Sequence, residues 1–284
     1  GVLTIIPGKG SVVGERFVTH ELVRKVCFTG STPVGKHIMA GCADQLKKVT
    51  LELGGKSANI VLDDADLDLA AACVLWGTFF HNGQVCESGT RALVHKSIYD
   101  EFLSLLADKA GKIVIGSQMD FETDLGPLVS RSQVETVERY VALGRDEVGE
   151  PICGGKRPEG LADGLDAAAF YTPTIFAGVP NSAKIAQEEI FGPVLSVIPF
   201  ETDDEAVAIA NDSIYGLAGG VQSANLDRAR SIANRMRTGT VWINDYHLIS
   251  PERPFGGYKQ SGIGREGGLN GLRAYQQVKH IHAN

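Results

Sequence analysis

Short runs of aliphatic and β-branched residues alternate with stretches of helical periodicity along this chain. That alternation limits its fold to α/β layers, with helices covering a sheet. The expected strands are Lys25 to Thr29, Ala58 to Leu62, Arg91 to His95, Val194 to Phe200 and Thr240 to Asn244. Between them, Val134, Val137, Tyr140 and Val141 fall at helical spacing within residues 132–143. Thr202 has the chemistry of an N-cap, and Asp203, Asp204 and Glu205 put negative charge on the following turn. Leu226, Ala229, Ile232, Ala233 and Met236 make an apolar helix face, with Gly239 as the expected C-terminal stop. Residues 277–283 alternate like a strand, one that would need an edge from elsewhere, such as a neighbouring subunit.

The 284 residues leave room for about two domains. No stretch reaches the roughly 18 uninterrupted apolar residues of a membrane helix, so no membrane partner is expected. A net charge of -7 opposes a nucleic-acid partner, because such affinity rests on clustered Lys and Arg. Five cysteines (27, 42, 73, 86 and 153) form an odd set without a CxxC pair. That fits neither a disulfide framework nor structural zinc, and reads as reduced thiols in a cytoplasmic protein. His280 and His282 would share a strand face, but no third ligand lies nearby and no metal site is assigned.

Three local motifs carry chemistry. The strand Lys25 to Thr29 runs into Gly30-Ser31-Thr32-Pro33-Val34-Gly35 and then a helix through Ala43. Ser31 or Thr32 can cap that helix, and Pro33 suits its first position. Its free N–H groups beside a glycine could receive a phosphate, although a plain capped helix reads equally well. The run Leu51-Glu52-Leu53-Gly54-Gly55-Lys56-Ser57 sets one acid among apolar residues. Such surroundings raise a carboxyl pKa toward that of a general base, whereas a surface acid closing a strand is the plainer alternative. Cys86, in Asn82-Gly83-Gln84-Val85-Cys86, follows an aromatic stretch with Trp76, Phe79 and Phe80. At a reference pKa of about 8.5 a few per cent of it would be thiolate at pH 7, although lone cysteines more often fill cores.

Taken together, these motifs resemble the NAD(P)-dependent aldehyde dehydrogenase superfamily. The resemblance also rests on Glu188-Glu189-Ile190-Phe191-Gly192-Pro193-Val194 and Pro254-Phe255-Gly256-Gly257-Tyr258-Lys259-Gln260-Ser261-Gly262, and it extends over the whole chain. It implies a three-layer catalytic domain over 54–255, a partial Rossmann-like cofactor domain over 1–53, and a C-terminal return segment with an oligomerisation strand over 256–284. By the same resemblance Cys86 is the nucleophile toward a small aldehyde, and Glu52 activates the water that releases the acid. Gly30, Ser31, Val34 and Gly35 approach the cofactor pyrophosphate. Leu53 meets the nicotinamide amide, Glu189 its ribose and Phe191 its ring, while Phe255 lines the substrate channel. NAD is the default cofactor with NADP open, and the parent enzyme is a homo-oligomer.

Members of this family carry a long N-terminal part before the position where Gly1 aligns. The resemblance therefore implies a C-terminal portion without most of the cofactor domain, the ribose-recognising lysine segment and the oxyanion Asn, and weak NAD binding by this chain alone. Two other functions stay open: a cofactor-independent thiol esterase, and a non-catalytic scaffold or interaction protein. Intact Glu52 and Cys86 speak against the scaffold. An aromatic entrance is expected around Phe79, Phe80 and Phe255, with Trp242, Asn244 and Tyr246 just upstream of the last.

Overall fold

Ala92, Leu93 and Val94 are consecutive and all fully buried, which a strand achieves only when both of its faces are covered. The computed structural model describes residues 1–284. In chain order it forms α1 (Glu15–Thr19), β1 (Lys25–Thr29), α2 (Thr32–Ala43), β2 (Lys48–Glu52), β3 (Ala58–Val61) and α3 (Leu67–Phe79). There follow β4 (Arg91–His95), α4 (Tyr99–Ala110), α5 (Arg131–Glu147), β5 (Thr174–Phe176), α6 (Lys184–Gln187) and β6 (Val194–Phe200). The chain continues through α7 (Asp203–Asn211), β7 (Ala218–Gln222), α8 (Leu226–Arg235), β8 (Thr240–Ile243), β9 (Gly262–Ile263) and α9 (Gly268–Ala274).

Two compact units result: Gly1–Gly54 together with Ile249–Asn284, and Gly55–Leu248. In the first, β1 and β2 are parallel neighbours joined through α2, and β9 adds to β2 antiparallel. Val18, Ile38, Cys42, Leu51 and Leu53 form its small core. The return segment is thus part of this unit rather than a third body, and it begins at Ile249 rather than at residue 256. Residues 277–284 are exposed and form no strand within the single chain.

The second unit is built on a six-stranded parallel sheet in the order β5-β6-β4-β3-β7-β8. Successive side chains of a strand point to opposite faces. Ile60 and Leu93 therefore join one core, with Val137 of α5, Ile185 of α6, Ala206 of α7 and Ile232 of α8. Val61, Ala92 and Val94 join the other, with Val74 of α3 and Phe102 and Leu106 of α4. Helices on both faces make this the expected three-layer α/β arrangement.

Thr202 caps α7 as expected, its side chain accepting from the Glu205 N–H. Helix α8 stops at Arg235, short of Gly239, because Met236 turns to extended backbone and buries its side chain. Strands β2, β5, β7 and β9 escape the sequence reading. The adjacent Gly219 and Gly220 of β7 remove the side-chain alternation that would have marked it.

Arg91, at the start of β4, is almost completely buried and ties several segments together. Its guanidinium donates to the carbonyls of Lys56, Ile209 and Ala210 and to Asn181 Oδ1, at 2.9–3.0 Å. Replacing it with Met removes a charged donor from four acceptors, of which the Ile209 carbonyl keeps the Asp212 N–H. We expect Arg91→Met to cost about 3–5 kcal/mol in urea unfolding; a loss below about 1 kcal/mol would contradict this role.

Candidate active site

Helix α3 ends at Phe79, and the chain then takes three consecutive left-handed residues: His81, Asn82 and Gly83, with φ of 50°, 59° and 68°. Two of these are not glycine, and such backbone is uncommon outside functional loops. At the third, glycine is obligatory for a second reason. A Cβ on Gly83 would lie 2.4 Å from the Gly192 carbonyl oxygen. This turn delivers half-buried Cys86. A Cβ on Gly55 would stand 2.4 Å from the Cys86 carbonyl oxygen, which accounts for one of the paired glycines after Glu52.

The Cys86 Sγ donates to Glu87 Oε2 at 3.2 Å. Glu87 Oε1 in turn lies 3.3 Å from His247 Nδ1, and both of these side chains are buried. Burial first, then the Glu87 and Glu189 carboxylates, push the thiol far above its ordinary range. Almost none of it is thiolate at pH 7, in contrast to the few per cent expected from the reference value. Burial works against the Glu87 carboxylate as well, but hydrogen bonds from His247 and Cys86 outweigh it and hold this carboxyl below its usual range.

Glu189 follows α6, and its Oε1 accepts the Gly55 N–H at 3.2 Å. Burial raises its pKa, opposed by that N–H and by Lys56. Lys56 is itself buried with no hydrogen-bond partner for its Nζ. Burial and Arg91 lower its pKa to about 7, against the pull of Glu189. Phe191 sits at φ 54° with its ring exposed, held because the Ile190 and Phe191 carbonyls both accept from Gln133 Nε2, at 2.9 and 2.8 Å.

Glu52, the last residue of β2, belongs to the first unit. It is only 3% exposed, and neither carboxyl oxygen has a hydrogen-bond partner. Burial, reinforced by Glu266 and opposed by Arg265, raises its pKa to about 8. The surface-acid alternative is therefore excluded for this residue.

In the same unit the Gly30–Gly35 turn leads from β1 into α2, with Pro33 in the first turn. Ser31 occupies the N-cap position with extended backbone, yet its side chain caps nothing. Thr32 Oγ1 turns instead to the Gln260 carbonyl at 3.5 Å. The expected side-chain cap is absent, and the first-turn N–H groups remain available to an outside acceptor. Ser31 and Val34 are exposed. A Cβ on Gly35 would meet Leu53 Cδ2 at 2.4 Å, so glycine lets α2 rest on Leu53. The Leu53 N–H donates to the Ser261 carbonyl, and half-buried Phe255 pairs with Glu266 by two bonds of 2.8 Å.

An open cleft of about 810 Å³ in the second unit is lined by Trp76, Phe79, Phe80 and the 124–129 loop. Trp242 and Tyr246, expected near an entrance, are buried core rings instead. Sequence reasoning missed Glu87 and His247 beside the thiol, and gave no role to the buried Lys56 that acts on Glu189. Glu87 follows Cys86 directly and could have been noticed. His247 is 160 residues away and only the fold brings it near.

The aldehyde dehydrogenase family model matches residues 1–281, and the chain belongs to that family. It is 47% identical over 282 residues to betaine aldehyde dehydrogenases of Brucella melitensis and Brucella abortus, covering 99% of this chain but 57% of theirs. Among solved structures, a betaine aldehyde dehydrogenase from Staphylococcus aureus in complex with NAD+ aligns with a TM-score of 0.93 at 46% identity. That match covers 97% of this chain and 54% of that one. The NAD+ complex of a Bacillus cereus aldehyde dehydrogenase aligns with a TM-score of 0.92 at 44% identity, over 96% and 55% of the two chains.

The buried Glu52 carboxyl has a consequence for stability. The folded protein retains this proton up to about pH 8, whereas the unfolded chain releases it near the ordinary 4.5. The raised value therefore favours folding below about pH 4.5, and that advantage is lost as pH rises through about 8. We expect Glu52→Gln to be more stable than the parent by a few kcal/mol at pH 9 and similar to it at pH 4.5. Urea titrations at both pH values check this, and an equal effect at the two would contradict it.

Proposed function

We propose that this protein oxidises a small aldehyde to its carboxylic acid with NAD+, through a thioester on Cys86. The observation that carries this reading is Glu52: a buried carboxyl without a partner and with a pKa of about 8 is suited to taking a proton from water. Family membership supplies the reaction class, and the NAD+ complexes of its relatives favour NAD over NADP.

The Cys86 thiol gives up its proton to solvent, Sγ forms a bond to the aldehyde carbonyl carbon, and the carbonyl π electrons move to oxygen. Collapse of that thiohemiacetal expels the aldehyde hydrogen as hydride and leaves a thioester on Cys86. The nicotinamide, when bound, supplies the hydride acceptor. Glu52, in its ionised form, then removes a proton from water, hydroxide adds to the thioester carbonyl, and the sulfur leaves as the acid is released.

Gly30, Ser31, Val34 and Gly35 suit the pyrophosphate, since α2 opens without a side-chain cap and a glycine adjoins its first turn. Leu53, Glu189 and Phe191 take the nicotinamide end. The exposed Phe191 ring offers a flat apolar face, and its strained backbone agrees with a positioning function. Phe255 lines the substrate channel. The finer substrate reading is an aldehyde bearing a trimethylammonium group, as in the named substrate of the Brucella relatives. The rings of Trp76 and Phe80, with centroids 4.4 Å apart, offer π faces of the kind that attract such a cation. Assembly into a homo-oligomer through residues 277–283 is part of the same reading, because Val278 and Ile281 stand exposed there. Five free cysteines suit a reducing cytoplasm.

The test is oxidation of betaine aldehyde and of an uncharged aldehyde of similar size, followed as NADH. Cys86→Ser is expected to lower kcat at least about a thousandfold while leaving NAD+ binding, read by tryptophan fluorescence, within a few-fold. A Cys86→Ser variant that remains active would overturn the reading. Acyl release from an activated ester at the same rate with and without NAD+, with no aldehyde oxidation, would favour a thiol esterase instead.

A further inference from the structure

Cys86 has an acid as its immediate neighbour in sequence and in space. The thiol hydrogen of Cys86 points at Glu87 Oε2, 3.2 Å from the sulfur. Glu87 is not free to swing aside. Its backbone carbonyl accepts from Tyr246 Oη at 2.9 Å, and its second carboxyl oxygen faces His247 Nδ1 at 3.3 Å. His247 is fixed in turn. Its φ is 66°, and its ring is enclosed by those of Trp76, Phe80, Trp242 and Tyr246, with centroids 6.0, 5.2, 6.4 and 5.0 Å away. Its Nε2 is buried without a partner, so the bond to Glu87 is the one polar contact made by this ring.

We propose that Glu87, clamped by His247, is a positioning residue that holds Cys86 as a hydrogen-bonded thiol and restrains the nucleophile until the S–H···O contact breaks. The proposal rests on the reading of Cys86 as nucleophile and adds a resting state to it. A carboxylate opposes formation of a thiolate beside it. The remaining charged neighbours do not reverse that effect: Glu189 raises the thiol further, and Lys56 acts on Glu189. A restrained thiol reacts slowly with adventitious electrophiles and oxidants, because the thiolate is the reactive form.

The test is alkylation of Cys86 by iodoacetamide without cofactor or substrate, read by peptide mass spectrometry between about pH 6 and pH 10. Exposed Cys27 serves as the internal control. Glu87→Gln keeps an acceptor for the thiol but removes the charge. It is expected to speed alkylation of Cys86 about tenfold or more near neutral pH by moving the whole profile to lower pH. Loosening of the loop would instead raise the rate by a similar factor at every pH, including the alkaline limb. That uniform rise, an unmoved profile, or a shift to higher pH would each overturn the proposal. Cys86→Ser kinetics separate the two readings. An active Cys86→Ser with a moved Glu87→Gln profile ends the catalytic reading and leaves the restraint. An inactive Cys86→Ser with an unmoved profile does the reverse.

Discussion

The chemistry of this chain depends on ionisable groups held out of water. Burying a carboxylate or an ammonium is costly unless the group is paired or gives up its charge. The molecule uses each solution twice. Glu87 is paired with His247, and Arg91 is satisfied by four acceptors. Glu52 has no partner and so holds its proton to about pH 8, while Lys56 is unpaired and holds its own only to about 7. The Glu87–His247 pair fixes the chain beside the thiol, and Arg91 ties β4 to Lys56, Asn181 and the end of α7. The unpaired carboxyl is left to exchange a proton near neutral pH.

The backbone makes these burials possible. In the second unit the parallel sheet is covered on both faces, so the segments at its strand ends are locked between helices. The left-handed turn after α3 and the close approach at Gly55 use that rigidity. Strain in residues 81–83 persists because the surrounding packing over-determines it. In the first unit, β1, α2 and β2 form a strand–helix–strand crossover whose helix begins without a side-chain cap. The uncapped start of α2 and Glu52 thus lie at the same edge of the β1–β2 pair, where the Gly30 N–H donates to the Glu52 carbonyl.

Much of this was legible in the sequence, and the failures have physical causes. Strands β3, β4 and β6 stand out because runs buried on both faces leave few polar interruptions. Strand β7 was hidden by its glycines, and β2 by the charged residues before Leu51. Cys86 and Glu52 were legible as motif residues, but their electrostatics were only half so. The apolar run around Glu52 announces a raised pKa. The run around Cys86 announces only part of the rise in its thiol pKa: Glu87 is adjacent, but the burial, Glu189 and the His247 contact come from the fold.

The central claim is a division of labour in which sulfur captures the carbonyl carbon and Glu52 frees it. Intact-mass analysis of Glu52→Gln mixed with aldehyde and NAD+ tests it most directly. The account predicts one acyl group retained per chain, mapped to Cys86, with NADH formed in a single turnover. No adduct, or an adduct hydrolysed as fast as in the parent, would contradict it.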